Sequence, residues 1–272
     1  MDNKLLDWFE KTGYPLELYS ESILASNGYL TTSSYIYHDN ENNIHRELDL
    51  HAQKCVSSKD HKTILIINFL IECKKSEKPF VILSNKNKNT PKISIGEYYG
   101  IDDPAARIAI NNPNRYINLL GNSGSGFRLI QGFTSGDDIF HKVTNTLIKS
   151  FNDFLSNEEE LLESYIEENT NTITFPLLLI DAPFHELSLN SDNGFIMTDI
   201  QSGIVYCTSH LSRHYPEPFP IPIIEKQSLN EFLSNVEEFI QSTLNFLIAN
   251  PNNNIKNFNK LELGLISKTP NT

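Results

Sequence analysis

The run ILIINFLI, Ile64 to Ile71, constrains the fold of this chain more than any other segment. Its apolar continuity is strand-sized, far short of a membrane span, and predicts a buried strand whose two faces are both covered. Layers of other structure must therefore lie on either side of the sheet that contains it. The run then ends on Glu72 and Lys74, two residues apart, a spacing that places both on one strand face and leaves Ile71 and Cys73 on the other. A strand that leaves the core for water can end this way. So can one that carries half of a metal site.

The neighbouring patterns supply covering layers. Leu5, Leu6 and Phe9 recur at helical spacing before Gly13. A second amphipathic helix starts at Pro15, carries Leu16, Leu18, Tyr19, Ile23 and Leu24, and stops near Asn27-Gly28, with Glu17 in its first turn. Strands are expected over 29–37 and 44–56, separated by the turn-forming HDNENN, and again over 62–74. Past Pro79, FVIL reads as a short strand, IDDPAARIAI as a short helix and GNSGSGFRL as a flexible loop. Ile139, Phe140, Val143, Leu147, Phe151 and Phe154 define an amphipathic helix over 137–155, which the acidic NEEELLESYIEEN extends or follows. FPLLLI at 175–180 and GIVYC at 203–207 are two further strands, and 229–249 a long closing helix.

This order predicts an α/β chain, a mixed central sheet flanked by helices. No linker or repeat interrupts it, so residues 1–272 are expected to form one domain whose halves share one sheet. Its core motifs lie in 13–80, a variable insertion in about 86–133, and the second half of the core in 137–250.

Composition narrows the function. The net charge of −12 gives no clustered basic surface of the kind that phosphate binding needs, although Lys74, Lys75 and Lys78, with Lys86, Lys88 and Lys92, could form a local cationic edge. Cys55, Cys73 and Cys207 are odd in number and lack C-x-x-C spacing, which indicates neither a disulfide framework nor a zinc cluster and fits a reducing cytoplasm. The N-terminal MDNKLLDWFEKTGYP has no apolar run of signal length, and no segment is long enough to span a membrane. The Asn-rich NKNKN and NPNNN are loop composition. GNSGSGF lacks the G-K-[ST] ending of a phosphate loop. His210 and His214, which with His185 and Glu186 could be built into a metal site, sit just before Pro216, Pro218, Pro220 and Pro222 and read as a surface loop.

In HRELDLHA, Glu47, Asp49 and His51 alternate with Leu48 and Leu50, so the polar residues share the face opposite the leucines. If this strand neighbours 62–74, as the short connection invites, Asp49 sits beside Glu72 and two carboxylates meet one ammonium. Close carboxylates raise each other's pKa, and a hard divalent cation removes that cost. Oxygen donors completed by water suit Mg2+ or Mn2+. A nearby lysine can stabilise a phosphoryl transition state or orient the attacking water. Arg46 is expected to pair with Glu47 or reach a phosphate, and His51 to lie at a polar edge or near the metal. Cys73 should point away from the Glu72 and Lys74 face and is no nucleophile.

Glu17, Asp49 and Glu72-Cys73-Lys74, in the local settings GYPLE, RELDLHA and ECKK followed by KPF, resemble the PD-(D/E)xK nuclease superfamily, the restriction-endonuclease-like fold, and its Mrr-like members. Leu48 stands where the motif's name has proline. The likeness covers Gly13 to about Phe80, with the 137–155 helix matching the second core helix more loosely. It implies a metal-dependent endonuclease cleaving DNA in anti-phage defence, restriction or repair, with Asp49 and Glu72 as metal ligands, Lys74 as catalytic lysine and the Cys73 carbonyl completing the shell. Glu17 would assist with a second metal or its water, or is a first-turn acid favoured by the helix dipole. The shortage of cations adds the expectation of a homodimer or partner subunit that delivers the nucleic acid. The alternative is a catalytically silent subunit of the same fold that binds nucleic acid or scaffolds a complex.

Overall fold

The computed structural model describes residues 2–59, 62–84, 124–134, 139–165, 170–207 and 219–249. The N-terminal part comprises helices α1 (Asp2–Phe9) and α2 (Tyr14–Ser26), then strands β1 (Leu30–Asp39), β2 (Ile44–Ser57), β3 (Ile64–Lys75) and β4 (Phe80–Leu83). Strands β5 (Gly124–Gly126) and β6 (Arg128–Gln131) precede helix α3 (Ile139–Tyr165) and strand β7 (Thr170–Asp181). Strands β8 (Phe184–Leu189), β9 (Phe195–Asp199), β10 (Ser202–Cys207) and β11 (Phe219–Glu225) follow, and α4 (Leu229–Ala249) closes the fold.

A seven-stranded mixed sheet in the order β1-β2-β3-β7-β11-β10-β5 takes strands from both halves of the chain. β1, β2 and β3 form an antiparallel meander, and β3 then pairs in parallel with β7 along its whole length, from Ile64 opposite Thr170 to Lys75 opposite Asp181. A parallel neighbour requires a crossover, and α3 lies in that connection. β3 and β7 are buried almost end to end, as strands covered on both faces must be.

The covering layers separate cleanly. On one face α4 brings Phe232 and Phe239 against Phe69 and Phe175, and α2 packs against β1, β2 and β3. On the other, α3 sets Phe154 against Tyr35 and His51. Phe69 is fully buried, with Tyr29 and Phe175 each 5.5 Å away and Phe232 at 5.7 Å, centroid to centroid. α1 contributes little to this core, since Leu5, Leu6 and Trp8 remain exposed.

The two halves share this sheet, as expected, but the structure adds a second one. A second sheet, ordered β6-β4-β8-β9, joins the first where β4 passes β5. Gly126 marks the close approach, because a Cβ there would fall 2.2 Å from the Leu83 carbonyl oxygen. The GNSGSGFRL segment, expected to be a flexible loop, supplies β5 and β6 within its described part. Neither three- to four-residue strand carries enough periodicity to be seen in the sequence. The hairpin β8–β9 was likewise not expected, and His185 and Glu186 lie on its first strand.

The proline-rich segment also departs from expectation. Phe219–Glu225 is a strand although it contains Pro220 and Pro222, residues that cannot donate to a ladder. Its pairing with β7 involves only Ile223, Ile224 and Glu225, beyond both prolines, while Phe219 to Ile224 pair with β10. His210, His214, Lys86, Lys88, Lys92 and the segment IDDPAARIAI lie outside the described residues.

A buried carboxylate ties the β1–β2 turn to α3. Asp39 accepts hydrogen bonds from Arg46 Nε at 2.8 Å, Lys149 Nζ at 2.9 Å and Asn42 Nδ2 at 2.8 Å. Arg46 thus pairs with Asp39 where Glu47 was the expected partner, because the antiparallel turn brings Arg46 back beside the end of β1. The carboxylate is sealed by its own partners rather than by depth. Loss of water alone would raise its pKa, but the hydrogen bonds from Asn42, Lys149 and Arg46 outweigh that and hold it well below the usual carboxylate range.

Two outcomes are expected. Phe69→Ala should lower unfolding free energy by about 3–5 kcal/mol in urea titrations, through lost burial and the cavity left among three rings. A depressed native pKa makes Asp39 stabilising above its unfolded value of about 3.9, and that contribution is lost as pH falls through the lower native value. Wild-type stability should therefore fall below about pH 4, and Asp39→Asn should be less stable at pH 7 with a flatter acid limb.

Candidate functional site

The β2–β3 ladder runs from Ser57 opposite Ile64 to Leu50 opposite Ile71 and stops there. Asp49 and Glu72 are the next residue on each strand, so alternation places both on the same face where the two strands cease to pair. On the side where β2 no longer pairs, the Cys73 N–H donates to Asp49 Oδ2 at 2.6 Å. Lys74 follows, its Nζ donating to Glu72 Oε1 at 2.5 Å and to the Cys73 carbonyl at 3.0 Å, and standing 3.8 Å from Asp49 Oδ2. One ammonium thus reaches two carboxylates and the intervening carbonyl.

Glu17 approaches from the first turn of α2, which packs against β2 and β3. Its carboxyl is pushed above the ordinary value by burial and then by the charges of Asp49 and Glu47, against a smaller pull from Lys74. Glu72, mostly buried, is pushed up to about 7, first by desolvation; Lys74 opposes this, and Asp49 and Glu17 add to it. Burial works against the Lys74 ammonium as well, but Glu72 and Asp49 together outweigh it and keep Lys74 above its ordinary value. These shifts describe a site with a local excess of negative charge, three carboxyls sharing one cation.

The donors are all oxygen, from Asp49, Glu72, the Cys73 carbonyl and, nearby, Glu17, a set that suits a hard divalent cation rather than zinc. In the conformation described, no three His, Cys, Asp or Glu side chains among the described residues are grouped tightly enough to hold an ion, and the Lys74 ammonium is what links these oxygens.

The other candidates fall away from this point. His51 is half-buried, with Tyr35 and Phe154 rings each 5.1 Å away and Nε2 3.2 Å from Asn68 Oδ1; burial lowers its pKa and it acts as a packing residue. The Cys73 thiol lies buried against Ser20 of α2, and burial pushes its pKa far above the ordinary thiol range, which leaves no nucleophile there. Lys75 donates to the Glu10 carbonyl and Lys78 to the Phe133 carbonyl, so both chain-neighbouring cations are engaged with backbone.

Sequence reasoning missed Ser34. The β1–β2 register holds from Leu30–Gln53 to Asp39–Ile44 but skips the pair that would join Ser34 to Asp49, and Ser34 has φ of +53°. A non-glycine residue in the left-handed region costs about 1–2 kcal/mol, and here the strain coincides with the break in pairing opposite the candidate carboxylate. Nothing in the sequence around Ser34 signals it, since Ser is neither a turn residue in this setting nor a favoured left-handed one.

No known protein family, curated protein or solved structure matches this chain in comparison searches.

Ser34→Gly should raise stability by about 1 kcal/mol in denaturant titrations, because glycine adopts positive φ without the Cβ penalty. For Glu72, a native pKa raised above the unfolded value means stability that is fully present below about pH 4.5 and is lost as pH rises through about 7. In the presence of a chelator, Glu72→Gln should therefore melt higher than wild type at pH 8, with the difference shrinking toward pH 5.

Proposed function

We propose that this chain is a metal-dependent phosphodiesterase of the restriction-endonuclease-like, PD-(D/E)xK type that hydrolyses DNA with Mg2+ or Mn2+. The observation that carries this reading is the meeting of Asp49, Glu72 and Lys74 at the point where β2 and β3 stop pairing. The element order supports it. A helix bearing Glu17 precedes an antiparallel three-strand meander, and a helical crossover returns the chain to a parallel β7.

Asp49, Glu72 and the Cys73 carbonyl are the groups that would hold the cation, which supplies polarisation of the phosphodiester and of its attacking water. Among the described residues, Lys74 is the one protein cation that faces the carboxylates of the site. Its ammonium can donate to a non-bridging phosphate oxygen and stabilise the charge that develops there. Glu72, with a pKa near neutrality before any cation neutralises it, and Glu17 are placed to accept hydrogen bonds from water on the same side. With the chain at −12 and both Lys75 and Lys78 tied to backbone carbonyls, a second copy or a partner subunit is the expected source of the surface that holds the nucleic acid.

A second reading is a silent subunit of the same fold. It is favoured by the hydrogen bonds of Lys74 Nζ to Glu72 Oε1 and the Cys73 carbonyl, which pair this ammonium within the protein.

Purified protein with Mn2+ or Mg2+ is expected to cleave plasmid, linear duplex or single-stranded DNA, and Lys74→Ala and Asp49→Ala should each lower the rate at least ~100-fold, the scale of losing one transition-state stabiliser. Cleavage that survives both substitutions would exclude this site as the catalytic one. A folded wild type that neither cleaves nor binds Mn2+ would favour the silent subunit.

A further inference from the structure

Lys74 holds every group at the strand ends that the nuclease reading assigns to a cation. Its Nζ donates to Glu72 Oε1 at 2.5 Å and to the Cys73 carbonyl at 3.0 Å, and it lies 3.8 Å from Asp49 Oδ2. A hard divalent ion binds oxygen donors at roughly 2.0–2.6 Å, so an ion seated on these groups would compete with the ammonium for their lone pairs. Two positive charges so close in a partly buried site would also repel strongly.

We propose that Lys74 is an internal competitor for the divalent cation: its ammonium occupies the cation-binding oxygens of the metal-free protein, and cation entry expels it toward the substrate side. This inference rests on the nuclease reading and concerns the regulation of the same site. The backbone of Lys74 is fixed by its pairing with Ile180 of β7, so the movement belongs to the flexible stem and its ammonium alone. Two consequences follow from the geometry. Metal affinity is held below what the oxygen donors would give by themselves, because each binding event must first break the Lys74 contacts. The ammonium, in turn, becomes available to a phosphate only once an ion has replaced it, which restrains the site until it is loaded.

The test is Mn2+ and Ca2+ binding to wild type, Lys74→Ala, Lys74→Gln and Asp49→Asn, by calorimetry and by the electron paramagnetic resonance of free Mn2+, with thermal melts to establish folding. Lys74→Gln keeps most of the stem and a neutral amide donor, so it covers the event that alanine disturbs the strand end. In parallel, the ζ-ammonium resonance of Lys74, assigned by its absence in Lys74→Ala, is followed by 15N NMR during Ca2+ titration of the wild type.

Both Lys74 variants should bind Mn2+ about tenfold or more tightly than wild type, the scale of removing a charge-assisted contact. The ammonium signal should change with the same midpoint as Ca2+ binding. Equal or weaker binding by folded Lys74 variants, or an ammonium signal that stays constant while Ca2+ binds in an Asp49-dependent way, overturns the competition and leaves the nuclease reading standing. Absence of binding in every protein removes the nuclease reading and the competition with it.

Discussion

The rest of the structure depends on the parallel pairing of β3 with β7. The two strands are nearly 100 residues apart in sequence yet match along their full length, and both are buried on both faces. Such a pair needs helices over both faces, since exposure of either strand would leave a continuous apolar ribbon in water. The rings of Phe69 and Phe175 meet on the face covered by α4, while α3 supplies the crossover and the opposite layer. Because a strand in this setting is held from both sides, its last residues are delivered to the surface in a fixed orientation. Glu72 and Lys74 inherit their positions from that rigidity.

Electrostatics at this strand end are unbalanced by design of the sequence. Three carboxyls, from Glu17, Asp49 and Glu72, approach one ammonium, and the response is visible as upward shifts at Glu17 and Glu72. A purely structural ion pair would more usually be matched in charge, as the Asp39 cluster is, where Arg46 and Lys149 face Asp39 and Glu41. The two clusters use the same residue types to opposite ends. One locks a turn to a helix, and the other keeps unmet demand for positive charge at the edge of the core.

Legibility in the sequence followed the length and periodicity of each element. The long buried strand, the α2 and α4 helices and the antiparallel β1–β2 pair all carry enough residues for alternation or helical spacing to rise above noise, and each was found within a few positions of its place. Of the peripheral sheet only β4, the FVIL strand, was expected. β6 is four residues long and β9 is exposed throughout, while in the main sheet β5 has three residues and β11 carries two prolines that argue against a strand unless one knows which side of it is paired. Arg46 shows the same limit on a smaller scale, since its partner Asp39 is adjacent only after the hairpin has closed.

By itself the sequence determined the α/β class, the strand whose two faces must be covered, and the facial segregation of Glu47, Asp49 and His51 from Leu48 and Leu50, because periodicity of 2 or 3.6 residues is a local property. It also placed Glu72 and Lys74 on one face. Only the tertiary structure decided that the ladder ends between Leu50–Ile71 and the carboxylates, that Asp49 caps the Cys73 N–H, that Ser34 is strained across from it, and that Lys74 bridges the oxygens. Those facts depend on register and on where pairing stops, and both are set by the packing of distant segments against one another.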